Sequence, residues 1–218
     1  MKKMTAAEKN KIMKDWLSNF SGYEKYKPLH LIKRNGPILT GIYLQPVMRG
    51  EMYCPIFHTH SLLVPSDGVL SLCCASSLLN KKGAREAISP LRHEAQLNEI
   101  IEAFVIQEPL STKREIDFYN LNEFYLAFIR KTKQPFMDAM YGMVLTAYYF
   151  NKLDLFEKNI LFCKNIISSW PADVQASVGG DEWEHKIRTM ADHEKLKKTF
   201  ENELYSLGLE KMYDFCIY

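Results

Sequence analysis

The sequence predicts an α+β protein: an N-terminal helix, a small antiparallel sheet of three or four strands over about residues 29–75, and a helical region of about five helices over about 84–207. Three observations carry this expectation. Apolar residues recur at helical spacing before residue 20, short β-rich runs between turn residues follow from Leu29, and helical stripes return after Gly83.

The first helix begins at Thr5-Ala6-Ala7-Glu8, a capping-box pattern in which the hydroxyl accepts a first-turn N–H and the glutamate reaches back to the cap. Ile12, Met13, Trp16, Leu17 and Phe20 then share one face and leave the lysines outside, until Ser21-Gly22 and Pro28 end the helix. Leu29–Arg34, Pro37–Gln45 and Met52–Val64 read as a meander. Asn35-Gly36 is a hairpin signal, because both residues tolerate the positive φ of primed turns, while Pro37 removes one ladder donor. Pro65-Ser66-Asp67-Gly68 marks another turn, and Val69–Ala75 a fourth strand. Gly41, inside a predicted strand, marks a bulge or the close approach of another backbone.

Ser89-Pro90 supplies an N-cap and a first-turn proline for a helix whose stripe is Leu97, Ile100, Ile101, Phe104 and Val105. Later stripes run through Leu121 to Ile129, Met140 to Tyr148 and Leu155 to Ile167, punctuated by Pro135 and Pro171, with Asn151–Asp154 as the turn of an αα-hairpin. A last long helix is expected over Asp181–Leu207, stopped by Gly208 in a left-handed cap. A bare sheet of three or four short strands is marginal, so sheet and helices are expected to share one core in a single domain over residues 1–218.

With 218 residues, 47% of them hydrophobic and a net charge of +2, the chain is neither disordered nor collagen-like and is long enough to bury a core without disulfides. The longest strongly apolar run, Met143–Phe150, is eight residues, against roughly 20 for a membrane span, so no membrane partner is expected. The start of the chain lacks the apolar stretch of a signal peptide. Five cysteines, an odd number without regular spacing, read as reduced thiols of a cytoplasmic protein. Residues 1–34 hold nine Lys+Arg against three Asp+Glu; nucleic-acid modules are more strongly basic, so this end reads as a solvated face.

Among candidate sites, His58 and His60 come first, because residues two apart on a strand point the same way and His-x-His is a metal-ligand pair. Cys54 lies roughly 20 Å from His60 along an unbent strand and cannot join them, which leaves Asp67, Glu86 or His93 as a third ligand. Glu182-x-x-His185 occurs once, whereas a di-iron bundle needs two such pairs. Cys73-Cys74 are vicinal and read as buried hydrophobes. Neither a nucleophile elbow, a dinucleotide fingerprint nor a P-loop is present, so no catalytic residue and no cofactor is assigned. The aromatics between Phe118 and Phe162 exceed what one stripe per helix buries, so Tyr125, Tyr148 and Tyr149 are expected at an interface. The expected function is therefore a non-catalytic protein–protein interaction module, such as an immunity, inhibitor or adaptor protein, with another protein as partner and homo-oligomers left open. The alternative is a small metal-dependent hydrolase using His58 and His60.

Overall fold

The computed structural model describes residues 2–132, 136–180 and 182–218; Pro135 and Asp181, expected as helix boundaries, lie outside the described residues. The chain divides into two compact units, one made of Met1–His60, Cys74–Asp117 and Met212–Tyr218, the other of Ser61–Cys73 and Phe118–Lys211.

In the first unit, helix α1 (Ala6–Asn19) starts with the expected capping box: Thr5 Oγ1 accepts from the Glu8 N–H and Glu8 accepts from the Thr5 N–H. Its Trp16 stacks on Phe20 with ring centroids 5.5 Å apart, and both meet Phe104 edge-on at 5.2 and 5.8 Å. Phe104 belongs to helix α2 (Pro90–Gln107), capped by Ser89. Burying aromatic rings of this size is the main force holding the two helices together, at roughly 1.5–3 kcal/mol per side chain.

The sheet has five strands in sequence order rather than three or four: β1 (Glu24–Lys27), β2 (His30–Asn35), β3 (Ile38–Val47), β4 (Met52–Ser61) and β5 (Cys73–Ser77). The added strand, β1, is Glu-Lys-Tyr-Lys, largely exposed at the sheet edge. Charged edge strands lack the apolar alternation by which a strand is read. The β2–β3 hairpin forms, but Asn35 pairs with Ile38, so the two loop residues are Gly36 and Pro37 rather than Asn35 and Gly36. Gly36 takes φ 54° and Pro37 falls in the loop, where its missing N–H costs no ladder bond. The β4 strand ends at Ser61 instead of Val64, and β5 starts at Cys73 instead of Val69. Residues 212–218 return to the sheet: Asp214 bridges Arg34 and Ile217 bridges Ile116, both in parallel.

The second unit is helical: α3 (Phe118–Lys131), α4 (Met137–Tyr149), α5 (Leu153–Ser168), α6 (Ala172–Ser177), α7 (Glu182–Met190) and α8 (His193–Leu207). Helix α4 is buried continuously from Ala139 to Ala147, as a helix apolar on every side must be. Buried Asn159 donates to Asn122 at 2.8 Å, joining α5 to α3. The expected long last helix is two helices, because Asp192 accepts from the Lys195 N–H and so starts a new one, which Gly208 closes at φ 69°. The expected αα-hairpin turn is present, with Asn151 at φ 56°.

Candidate functional sites

His58 sits on β4 and His30 on β2, with β3 between them. The two Nε2 atoms are 2.7 Å apart, a hydrogen bond that spans the middle strand. The crossing exists because position 41 carries no side chain: a Cβ there would stand 2.0 Å from His58 Nε2. The β2–β3 register runs unbroken through Ile32 and Gly41, so Gly41 marks neither a bulge nor another backbone but the seat of an imidazole. His58 is fully buried and His30 is 8% exposed. Burial first, then the proximity of His30, pushes the His58 pKa down to about 3. Burial first, then Lys27, pushes that of His30 down to about 4. Both rings are neutral at pH 7, one nitrogen donating and the other accepting.

His58 is already engaged by His30, and a metal held by His58 and His60, as expected, would have to displace that bond. Two imidazoles on one tetrahedral zinc, each about 2.05 Å from it, hold their nitrogens about 3.3 Å apart. Here the proton of a hydrogen bond takes that place. His60 is 2% exposed on the same strand. Of the proposed third ligands, Glu86 pairs with Arg92, His93 is held by Tyr53 and Asp15, and Asp67 lies in the turn before Gly68. Among the described residues, no three or more His, Cys, Asp or Glu side chains are grouped to hold a metal ion. Glu182 and His185 are exposed on α7, and Cys73 and Cys74 are buried.

A second polar chain runs through the first unit. Trp16 Nε1 donates to the Tyr53 hydroxyl at 3.2 Å, that hydroxyl lies 2.7 Å from His93 Nδ1, and His93 Nε2 lies 3.1 Å from the Asp15 carboxylate. With His93 donating to Asp15, its Nδ1 accepts the Tyr53 proton and every group is satisfied. Burial pushes the Tyr53 pKa above its ordinary value, so the ring stays a phenol, a donor rather than a nucleophile. The chain ties α1, β4 and α2 together. Lys33, on β2, is wholly buried; its amine donates to the Lys113 carbonyl and lies 5.1 Å from the Tyr23 ring centre. Burial brings its pKa down to about 8. His30, Asp15 and Lys33 escaped the sequence reading because their partners lie 28, 78 and 80 residues away, with no local spacing to mark them.

Of the tyrosines expected at an interface, Tyr125 is 1% exposed, with its hydroxyl 3.3 Å from where a Gly142 Cβ would stand; it is core, packed where α4 has no side chain. Tyr148 and Tyr149 are half-buried at the end of α4, Tyr148 against Phe156 and His193 and Tyr149 against Phe150 and Phe200. Tyr119, on α3, is 57% exposed. It borders an open depression of about 470 Å³ at the α4–α5 turn, lined also by Asn151, Lys152, Leu153, Asp154 and Lys158. The Lys152 amine lies 5.5 Å from the Tyr119 ring centre. Asn151, which accepts from His193 Nε2 at 3.1 Å, fixes the turn.

No protein-family profile matches the sequence, and neither a curated protein nor a solved structure matches it. Fold and side-chain geometry define an α+β protein in which no helix of the described residues is long and apolar enough to cross a membrane.

Proposed function

We propose that this chain is a non-catalytic binding protein that acts by contact with another protein, in the manner of an immunity, inhibitor or adaptor protein, and that the α4–α5 turn is its contact surface. The observation that carries the reading is the pair Tyr119 and Leu153, 57% and 54% exposed, which border one depression with Lys152 and Lys158 beside them. Large apolar side chains set in a polar rim are what a protein partner covers, and tyrosine offers it a rigid face with a polar tip. The half-buried Tyr148 and Tyr149 precede this turn directly and extend the same aromatic region. A cytoplasmic location belongs with this reading and draws support from the five cysteines, all of which are free.

The test is affinity capture from the source cells with the tagged chain, compared with a Tyr119→Ala, Leu153→Asp double variant. One protein retained near stoichiometry by the wild type and lost from the variant, with the melting temperature unchanged, supports the assignment. Identical retention by both chains overturns it. Tyr125→Ala is the contrast, since removing a core ring lowers the melting temperature.

A further inference from the structure

Residues 212–218 occupy a groove of the first unit between the end of β2 and the segment Lys113–Asp117. Their hold is specific at two side chains, Asp214 and Phe215, and otherwise made largely through the main chain. Asp214 Oδ2 accepts from Arg34 Nη2 at 2.8 Å and Oδ1 accepts from the Gly36 N–H at 2.6 Å, a two-point grip on one carboxylate. The Phe215 N–H donates to the Arg34 carbonyl at 3.0 Å, and Asn35 Nδ2 donates to the Phe215 carbonyl at 2.6 Å. On the far side, the Ile116 N–H donates to the Cys216 carbonyl and the Tyr218 N–H to the Ile116 carbonyl. The Phe215 ring lies where a Gly22 Cβ would stand, 2.9 Å from its Cζ, with the Arg114 guanidinium 5.4 Å from the ring centre. Only Ile217 of the segment is buried, whereas Tyr213 and Tyr218 are 65% and 70% exposed.

We infer that this groove is a peptide-binding site, filled in cis by residues 212–218, whose occupant in trans is an extended segment of a partner protein carrying aspartate followed by an aromatic residue. The geometry is strand addition: main-chain bonds supply affinity, and the Arg34–Gly36 grip together with the Gly22–Arg114 seat selects the side chains. With a single buried side chain, the cis segment opens at far lower cost than the sheet beneath it. Once it opens, the Gly36 N–H loses its partner and the Asn35 amide keeps only its bond to the Arg114 carbonyl, and an incoming strand restores what was lost. The site stands on the first unit and is independent of the Tyr119 surface, so either can fail alone.

The probe is a fluorescein-labelled peptide, Met-Tyr-Asp-Phe-Ser-Ile-Tyr, with serine in place of the oxidisable cysteine, titrated against the full chain by anisotropy. Asp214→Asn in the full chain weakens the cis contact, so the peptide is expected to bind that variant at least tenfold more tightly than it binds the wild type. A peptide with asparagine in place of its aspartate is expected to bind at least tenfold more weakly. Far-UV circular dichroism verifies the fold of the variant, and Phe215→Ala in the full chain serves as a second opening substitution. Equal binding of the aspartate and asparagine peptides, or no binding by either opened chain, overturns the inference. A concentration-dependent dimer of the opened chain that the peptide dissolves would replace the partner protein with a second copy of this chain and overturn the assignment of the occupant.

Discussion

The Nε2 atom of His58 stands 2.0 Å from the point that a Cβ on Gly41 would occupy, so the imidazole fills the place of the missing side chain. A strand glycine normally weakens its sheet. Here it provides the path by which β4 reaches β2 through a side chain rather than through the ladder.

Gly41→Ala is therefore expected to destabilise the chain by about 1–3 kcal/mol, the usual cost of forcing volume into a packed site. The atom it strikes belongs to a ring, and moving that ring breaks the bond to His30. In a His58→Ala background the same substitution should cost less, and urea unfolding of the four chains of this cycle measures the coupling. Equal cost in both backgrounds would show that His58 is not what position 41 accommodates.

The same pair gives the chain an acid-sensitive stability. An unfolded histidine takes up a proton near pH 6.5, whereas the folded chain holds His30 down to about 4 and His58 down to about 3. The folded state thus binds fewer protons, and the stability contributed above pH 6.5 is lost as the pH falls from there toward 4. A tenfold change in proton affinity is worth about 1.4 kcal/mol, so the loss by pH 4 is on the order of a few kcal/mol. Urea midpoints at pH 7, 5.5 and 4.5 should fall steeply for the wild type and less steeply for His58→Gln.

Tyr53→Phe removes the hydroxyl between Trp16 and His93 and leaves two buried nitrogens without their partner. A cost of about 1–3 kcal/mol is expected. Asp15→Asn should cost less, since that carboxylate side chain is 29% exposed and water replaces part of what it loses. If Tyr53→Phe proved neutral in thermal unfolding, the chain from Trp16 to Asp15 would contribute nothing to holding α1 and α2 on the sheet.

Lys33 carries a pH signature of the opposite range. Burial lowers its pKa from 10.5 to about 8, so a folded chain below pH 8 bears the cost of a charged amine in the interior. That cost fades as the pH rises from about 8 to about 10.5, where the unfolded chain also loses the proton. The unfolding free energy of the wild type should rise relative to that of Lys33→Met across this window. A constant difference would place the amine in water.

Elemental analysis of the purified protein is expected to find no stoichiometric zinc, iron or manganese. A stoichiometric ion lost from a His58→Ala, His60→Ala double variant would favour the hydrolase reading instead.

Local signals were legible in the sequence and distant pairings were not. The Thr5–Glu8 box, the Ser89-Pro90 start and the Gly208 stop are written within three or four residues, and each marks a helix end as expected. The edge strand Glu24–Lys27 was hidden because it buries no stripe, and the break at Asp192 because one capping carboxylate interrupts an otherwise continuous helical pattern. Gly41 announced a close approach, but what approaches it depends on a residue 17 positions away along a different strand. Tyr125 falls on the helical stripe from Leu121 to Ile129 and Tyr119 falls off it, so spacing separates the core ring from the exposed one, while the place of Tyr125 against Gly142 comes from packing.

The aromatic cluster of α1 has a further consequence for how the chain can be observed. Trp16 is wholly buried in the first unit, where it donates to Tyr53, and Trp183 is 1% exposed in the second, 6.2 Å from Tyr141. Each unit thus contains its own intrinsic fluorophore in a dry, ordered environment. Once Trp170 is replaced by phenylalanine, a further Trp183→Phe or Trp16→Phe substitution leaves one emitter, whose fluorescence follows the melting of one unit without labelling either.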